Sequence, residues 1–355
     1  MATQVQSKAA SPDMSARPRA ISRWLMLVAA MVFLMVVVGG ITRLTESGLS
    51  MVRWEPISGI VPPLNVEQWE AEFDAYKATP EYRHVNRGMS LDEFKQIFFW
   101  EYVHRVLGRL IGLVFALPLA WFAWKKAVPR GYGWRLTGLL LLGGLQGAIG
   151  WWMVASGLID RPDVSHIRLA IHLMAALVIF ALLIWTALDL EELARRPGAR
   201  PARISTTAIW TLSALALQIL FGAYVAGLNA GYAFNSWPLM GEELFPSGTA
   251  MLSPWIANLV DNPIVVQFVH RWLAFAVAGF TLALSWTAWK RGLVLHAAAA
   301  AGMVIVQVLL GIATLLSGVE IRLAVLHQAA AALLLAAIVV AAHRLGVTEQ
   351  RGERR

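Results

Sequence analysis

Long apolar segments separated by shorter polar ones run along the whole chain, and their length predicts helices that cross a membrane. A hydrocarbon core of about 30 Å requires roughly 20 apolar residues in one helix. The first segment follows a polar tail and has no small-x-small cleavage site, so we expect it to be retained rather than removed as a signal peptide. The eight segments lie near residues 24–42, 97–124, 134–156, 166–188, 205–228, 264–289, 293–317 and 321–343.

The composition favours an all-α integral membrane protein over a soluble one. Hydrophobic residues make up 58% of the 355 residues and charged residues only 15%, whereas soluble domains are about half apolar and a quarter charged. With so few charged residues, the chain can be neither a soluble globular protein nor a disordered one. The absence of cysteine excludes disulfides, thiolate metal sites, iron–sulfur clusters and c-type haem attachment.

Lys and Arg are concentrated in alternate connections, which predicts how the helices are oriented. The 229–263 loop has neither Lys nor Arg, and the 43–96 loop has nine acidic and six basic residues. Because basic loops stay in the cytoplasm, we expect both termini to face the cytoplasm of a bacterium and the long loops to face the periplasm. Because the basic residues follow this loop pattern, the net charge of +8 is explained by membrane orientation, and we expect no nucleic-acid partner. The basic segments are the N-terminal tail and residues 125–135, 195–203, 290–291 and 351–355.

Three pairs of segments recur in the same order, which indicates an internal repeat. The first and fifth helices correspond more weakly, through glycine-rich ends and Trp54-Glu55-Pro56 against Trp237-Pro238. The clear pairs are EYVHR (101–105) with QFVHR (267–271), LQGAIGWWMVASGL (145–158) with VQVLLGIATLLSGV (306–319), and IRLAIHLMAAL (167–177) with IRLAVLHQAAA (321–331).

The repeat predicts two four-helix bundles of the same topology. An even number of spans in each half makes the repeats parallel, related by an axis along the membrane normal. The expected divisions are a cytoplasmic tail (1–22), a first unit (23–188) with the outer loop 43–96, a cytoplasmic linker (189–204), a second unit (205–345) and a cytoplasmic tail (346–355).

Four of the eight histidines lie about six residues inside the outer ends of their helices. They are His104, His172, His270 and His327, one from the second and one from the fourth helix of each unit. Two imidazoles from facing helices are what the iron of a b-type haem requires as axial ligands. A structural role, bonded across helices, is the alternative for any one of them alone.

The other histidines and the small residues nearby complete this interpretation. Small side chains follow each of the four histidines and leave room for a flat macrocycle, although they also suit close helix contacts. A solvated or interfacial position accounts for the remaining histidines. The small residues are Gly108, Gly112, Ala175, Ala176, Ala274, Ala278, Ala330 and Ala331, and the remaining histidines are His84, His166, His296 and His343.

Arginines beside two of the histidines are candidates for binding haem propionates. Arg105 and Arg271 each follow a histidine directly, and Arg recognises carboxylates in bidentate fashion. Snorkelling to lipid headgroups is an equal alternative, and Arg109 and Arg168 are weaker candidates. For Gln146 and Gln307 in the third and seventh helices, we favour interhelical hydrogen bonding.

The two units differ at one chemically important position. Glu101 lies three residues before His104, on the same helix face, and its counterpart in the second unit is Gln267. A carboxylate can accept or deliver protons and an amide cannot, so the first unit is predicted to be the active one. An ion pair with Arg105 or Arg109 is the structural alternative. The turn-rich segment 41–64 is expected to cover this site.

The combination of EYVHR at 101–105, the run GGITRLTESGLSM…W-x-P at 39–56 and four helix-borne histidines in two units resembles the haem A synthase family. The resemblance covers about residues 22–345. Some members carry a cysteine pair in the outer loops. This chain has none, so it is similar to the cysteine-free type of proteobacteria and mitochondria, and a mechanism that uses a loop thiol is excluded.

The resemblance implies oxidation of a ring methyl of haem O to a formyl group, which gives haem A for cytochrome oxidase. The route would be two hydroxylations, with oxygen derived from water, and loss of water from a gem-diol. By resemblance, His104 and His172 flank the substrate haem, His270 and His327 ligate a permanent haem b that passes electrons, and Glu101 is the essential carboxylate.

The resemblance also implies partners. They are haem O, membrane lipid, the farnesyltransferase that makes haem O, cytochrome oxidase assembly factors and a second copy of the chain. Two other functions use the same residues differently. A di-haem electron-transfer cytochrome needs the four histidines but neither Glu101 nor the long loop, and a transporter of parallel repeats would use them as proton relays without pigment.

Overall fold

A computed structural model describes residues 15–53, 58–158 and 162–352, and within these ranges it contains helices and no β-strand. Eight of the helices are long and apolar enough to cross a membrane, as the sequence predicts. The α-helices are α1 (Pro18–Leu44), α2 (Val66–Lys77), α3 (Pro80–His84), α4 (Leu91–Trp124), α5 (Gly133–Ala155), α6 (His166–Arg195), α7 (Thr206–Gly227), α8 (Asn258–Asp261), α9 (Pro263–Lys290), α10 (Val294–Leu316) and α11 (Ile321–Gly352).

Several helices extend beyond the apolar segments that predict them. Helix α4 begins at Leu91 rather than 97 because Ser90 and Glu93 form a capping box, in which each side chain accepts a hydrogen bond from the other residue's backbone N–H. Helix α6 continues to Arg195 and α11 to Gly352. The expected linker 189–204 and tail 346–355 are therefore helical in part.

Helices α1, α6 and α11 meet at the centre of the bundle. Helix α1 packs against both α6 and α11, and α6 also packs against α7. Their shared apolar cluster includes Leu25, Leu183 and Ile338, which are almost fully buried. Helices α5 and α10 expose large apolar side chains such as Leu141 and Leu309, as expected for surfaces that face lipid.

Direct hydrogen bonds fasten α11 and the end of α7 to α1. The Gln328 side-chain amide on α11 donates to the Val36 carbonyl of α1 at 2.6 Å. Gly40 makes this approach possible, because a Cβ there would lie 2.8 Å from the Gln328 amide. Arg43, in the last turn of α1, donates to the Ala226 carbonyl at 3.0 Å. The four helices on either side of the linker are thereby held in one body.

Two histidines expected to be solvated or interfacial are instead buried, and each lies beside a carboxylate. His343 has 0% exposure and its Nε2 lies 2.9 Å from Asp189, whose other oxygen accepts from Arg135 at 2.7 Å. His166 is also buried and lies 3.1 Å from Asp261. The sequence interpretation was wrong for both because their acidic partners are distant in the chain.

The long loop 43–96 contains a helical cap that the apolar pattern does not reveal. Asn65 and Thr79 accept hydrogen bonds at the starts of α2 and α3, as N-cap residues do. Aromatic side chains from α2 pack onto the start of α4, and we call residues 65–94 the loop cap. The buried aromatic residues of this cluster are Phe73, Tyr76, Phe94 and Phe98. The Trp54-Glu55-Pro56 run lies outside the described residues.

The buried carboxyl group of Glu81 makes the stability of the loop cap dependent on pH. Burial raises the pKa of the Glu81 carboxyl from 4.5 to about 8. The folded cap therefore binds more protons than the unfolded segment between these values. The contribution of Glu81 to the stability of the cap is therefore fully present below pH 4.5 and is lost as the pH rises through about 8. We expect hydrogen exchange in residues 65–94 to accelerate over this interval beyond the intrinsic effect of pH.

A pair of glutamine variants isolates this effect. Glu81→Gln should flatten the pH dependence of exchange, because the amide has no charge to desolvate. Glu70→Gln alters an exposed carboxylate of the same cap and should leave the wild-type profile unchanged. An identical pH profile in wild type and Glu81→Gln would contradict the assignment.

Candidate functional site

Two of the predicted histidines face each other across the second half of the bundle. The rings of His270 on α9 and His327 on α11 have centroids 6.5 Å apart and planes at 89°. A metal–imidazole bond of about 2 Å puts the ring centroids of two opposed ligands about 6.4 Å apart. The observed separation therefore suits one metal ion between the two rings.

His104 on α4 and His172 on α6 stand at the corresponding positions of the first half. Each ring also lies against a glycine of a neighbouring helix. A Cβ at Gly39 would be 3.5 Å from His104 Nε2, and a Cβ at Gly150 only 2.9 Å from His172 Cε1. The structure thus brings His270 and His327 together as a pair, and it places His104 and His172 at the matching positions, each against a glycine of a neighbouring helix.

Glutamines from adjacent helices hold three of the four histidine rings. The side-chain nitrogens of Gln146 and Gln218 lie 3.1 Å from Nδ1 of His172 and His270, and that of Gln307 lies 3.2 Å from Nδ1 of His327. The interhelical hydrogen bonding favoured for Gln146 and Gln307 is confirmed.

Gln218 is a site residue that the sequence interpretation missed. Its side-chain nitrogen also donates to the His270 carbonyl at 3.0 Å. A signal was available, because a glutamine precedes a glycine by four residues at three places, and each glycine lies against the same histidine as its glutamine. The three pairs are Gln146 with Gly150, Gln218 with Gly222, and Gln307 with Gly311.

The donor set fits a haem iron ligated by two histidines. The porphyrin supplies four ligands and the protein needs only two, so the lack of any cluster of three or more His, Cys, Asp or Glu in the described ranges is no obstacle. A histidine that ligates through Nε2 carries its proton on Nδ1 and needs an acceptor there. Each glutamine has an Oε1 that is buried without a hydrogen-bond partner, and an end-for-end turn of the amide presents this oxygen to Nδ1. For Gln146 and Gln218 the turn also gives up the bond from the amide nitrogen to the histidine's own carbonyl.

Glu101 is buried and is fixed by three donors. Its Oε2 accepts from Ser50 Oγ and from the Met51 backbone N–H, both at 2.7 Å, and its Oε1 lies 2.5 Å from an Arg105 nitrogen. The ion pair that the sequence offered as a structural alternative is therefore present. Residues 50 and 51 belong to the segment expected to cover the first site, and they contact this carboxylate directly.

Gln267 occupies the equivalent position of the second half and bonds in a similar way. Its side-chain nitrogen donates to the Phe234 carbonyl at 3.0 Å, and its oxygen accepts from Arg271 at 3.2 Å. Both sites thus tie a loop to the helix that carries the histidine. They differ in charge, because only the first carries a carboxylate.

The arginines proposed for propionates bind loop carbonyls in this structure. Arg105 donates to the carbonyls of Met51 and Arg53, and Arg271 to those of Ser236, Leu239 and Phe234. Propionate binding by either arginine stays a prediction. Arg168, a weaker candidate, donates to the Trp152 carbonyl at 2.8 Å and lies over the ring of the same residue.

Comparisons with known proteins place this chain in a family. Residues 22–339 match the COX15-CtaA family, described as cytochrome oxidase assembly protein. The chain is 59% identical over 333 residues to the haem A synthase of Rhizorhabdus wittichii, an alignment that covers 93% of this chain and 95% of the relative. It is 53% identical over 344 residues to that of Sphingopyxis alaskensis, with 96% and 97% covered. Identity to the Rhodospirillum centenum haem A synthase is 50% over 344 residues, with 96% and 92% covered. The chain therefore belongs to the haem A synthase family.

Proposed function

We propose that this multi-pass membrane protein oxidises a ring methyl of haem O to a formyl group and so produces haem A. The first unit, with His104 and His172, binds the substrate haem, and the second unit, with His270 and His327, holds a resident haem b. The two units are parallel repeats with both termini in the cytoplasm, and the haem sites lie towards the periplasmic side. This orientation rests on the distribution of Lys and Arg between the loops.

One observation carries the division of labour between the units. Glu101 and Gln267 occupy equivalent positions, each four residues before an arginine that it contacts. The two sites use the same scaffold, so the carboxylate is not needed to hold the loop or the arginine. A carboxylate that only one of two matched sites carries, and that the scaffold does not need, marks that site as the reactive one.

Glu101 handles a proton during oxidation of the methyl group. A carboxylate has about four lone-pair sites, and three are used by Ser50, Met51 and Arg105. The remaining lone-pair site, on Oε1, is the one available to accept a proton. The three donors keep the carboxylate in one orientation, and its spacing of three residues puts it on the helix face of His104.

The other residues position the substrate and the resident cofactor. His172 is fixed by Gln146, and His270 and His327 are fixed by Gln218 and Gln307, so these rings keep their orientation. A haem b between His270 and His327 supplies reversible one-electron transfer. Segment 50–53 covers Glu101 and limits the access of water to it.

Pigment extraction from the purified full-length protein tests this proposal. In a host that makes haem O, we expect haem b together with haem O and haem A in the extract, resolved by chromatography. Haem b alone, with no conversion of added haem O, would instead favour a pure electron carrier. A colourless protein would favour the transporter, and either outcome would overturn the proposal.

A further inference from the structure

His104 differs from the other three paired histidines in what holds its ring. His172, His270 and His327 each have a glutamine nitrogen within 3.2 Å of Nδ1. Their neighbouring glycines are also close, since a Cβ would lie 2.9 to 3.0 Å from Cε1 of each ring. Each of these three rings is thus held by an amide on one side and by helix backbone on another.

Helix α1 presents a different pair of residues to His104. Gly39 is the residue next to the ring, and four positions earlier, where α7 has Gln218 before Gly222, stands Met35. Over the described ranges, no hydrogen bond reaches the His104 ring. A thioether is only a weak acceptor and donates no hydrogen bond. The Met35 methyl instead points towards Gly108 of α4, 3.4 Å from the place of a Cβ there.

This difference bears on which ligand leaves the iron. The partner at the second ring nitrogen orients a ligating imidazole and raises its basicity, and its loss typically weakens metal binding by about 10–100-fold. An iron with two histidine ligands has no open position, so one must dissociate before any external ligand binds. His104 has no such contact, whereas the Gln146 amide bonds both Nδ1 and the backbone carbonyl of His172 and fixes that ring in place.

We infer that Met35 is a positioning residue that makes His104 the exchangeable ligand of the substrate haem, while Gln146 keeps His172 bound. This inference rests on the proposed function. When an external ligand binds, the iron–His104 bond breaks and a bond to that ligand replaces it. The face that opens is the face bordered by Glu101, because that carboxylate lies one turn from His104 on the same side of α4. The exchangeable ligand His104 and the carboxylate of Glu101 thus lie on the same face of the substrate haem.

Carbon monoxide binding to the reduced, purified protein tests the inference without relying on turnover. CO needs an open position, so its affinity per haem reports how readily an axial histidine leaves. Met35→Gln should supply the missing amide and lower the CO affinity of the first-unit haem by about 10-fold or more. Met35→Leu keeps an apolar side chain and should leave that affinity at the wild-type value.

The converse variant tests the same principle in the second unit. Gln218→Met copies the first-unit arrangement beside His270, and it should make the second-unit haem b bind CO more tightly than in the wild type. Haem content, measured by extraction, distinguishes a failure of the proposed function from a failure of the inference about Met35. A protein without haem O or haem A refutes the proposed function, whereas equal CO affinity in wild type, Met35→Gln and Gln218→Met at full haem content refutes only the inference about Met35.

Discussion

The Glu101→Gln variant should convert haem O to haem A about 10²–10⁴-fold more slowly than the wild type, which is the range that general acid–base catalysis contributes. The substitution is nearly isosteric, but it removes the only group at this position that can hold a proton. Haem A formed per minute in membranes supplied with haem O measures the effect. Haem b content should stay at the wild-type level, because the second unit is unchanged.

The chain itself indicates that glutamine is tolerated in this setting. Gln267 already accepts a hydrogen bond from Arg271 while it donates to the Phe234 carbonyl. At position 101 the amide oxygen can still accept from Arg105, although its NH₂ group then faces the Met51 N–H. We therefore expect a folded protein with a modest local change, rather than a general loss of structure.

Two further variants sharpen this test. Ser50→Ala removes one of the three donors to Glu101 and should reduce turnover less than Glu101→Gln, since the proton acceptor remains. Glu70→Gln removes an exposed carboxylate of the loop cap and should convert haem O at the wild-type rate. If Glu101→Gln itself retained that rate, the catalytic assignment of Glu101 would be wrong.

The apolar pattern predicted the eight long helices because membrane solvation imposes their length and composition directly. It failed where polar contacts extend a helix beyond the apolar stretch. Ser90 and Glu93 start α4 six residues early through a capping box, and Asp189 continues α6 because it is paired with Arg135 and His343. The Asp189 pairings join residues that are far apart in the chain, and a hydropathy pattern does not reveal them.

The same distinction applies to the site. The four histidines could be singled out because ionisable groups are rare within apolar helices and these recur at matched positions. Glu101 stood out for the opposite reason, because its counterpart is Gln267. Gln218 was overlooked because its half-repeat counterpart is Met35, so the comparison between halves gave no match at this position. The loop carbonyls that bind Arg105 and Arg271 leave no sequence signal, because every residue has a backbone carbonyl.

Alanine variants of the four histidines should divide into two classes. His270→Ala and His327→Ala should each lose most of the retained haem b, because one histidine cannot complete the pair whose rings lie 6.5 Å apart. His104→Ala should lose turnover far more than haem b, because it acts on the substrate side. Pyridine haemochrome spectra of the purified proteins measure haem b, and chromatography of extracted pigment measures haem A.

The exposed His84 of the loop cap provides the matched control. His84→Ala removes an imidazole without touching either pair, so both haem b content and haem A production should equal those of the wild type. The informative comparison is between His104→Ala and His270→Ala, which stand at equivalent places in α4 and α9. Equal loss of haem b in these two variants would mean that both units hold the resident cofactor alike, and the carboxylate of Glu101 would then no longer distinguish a reactive site from a fixed one.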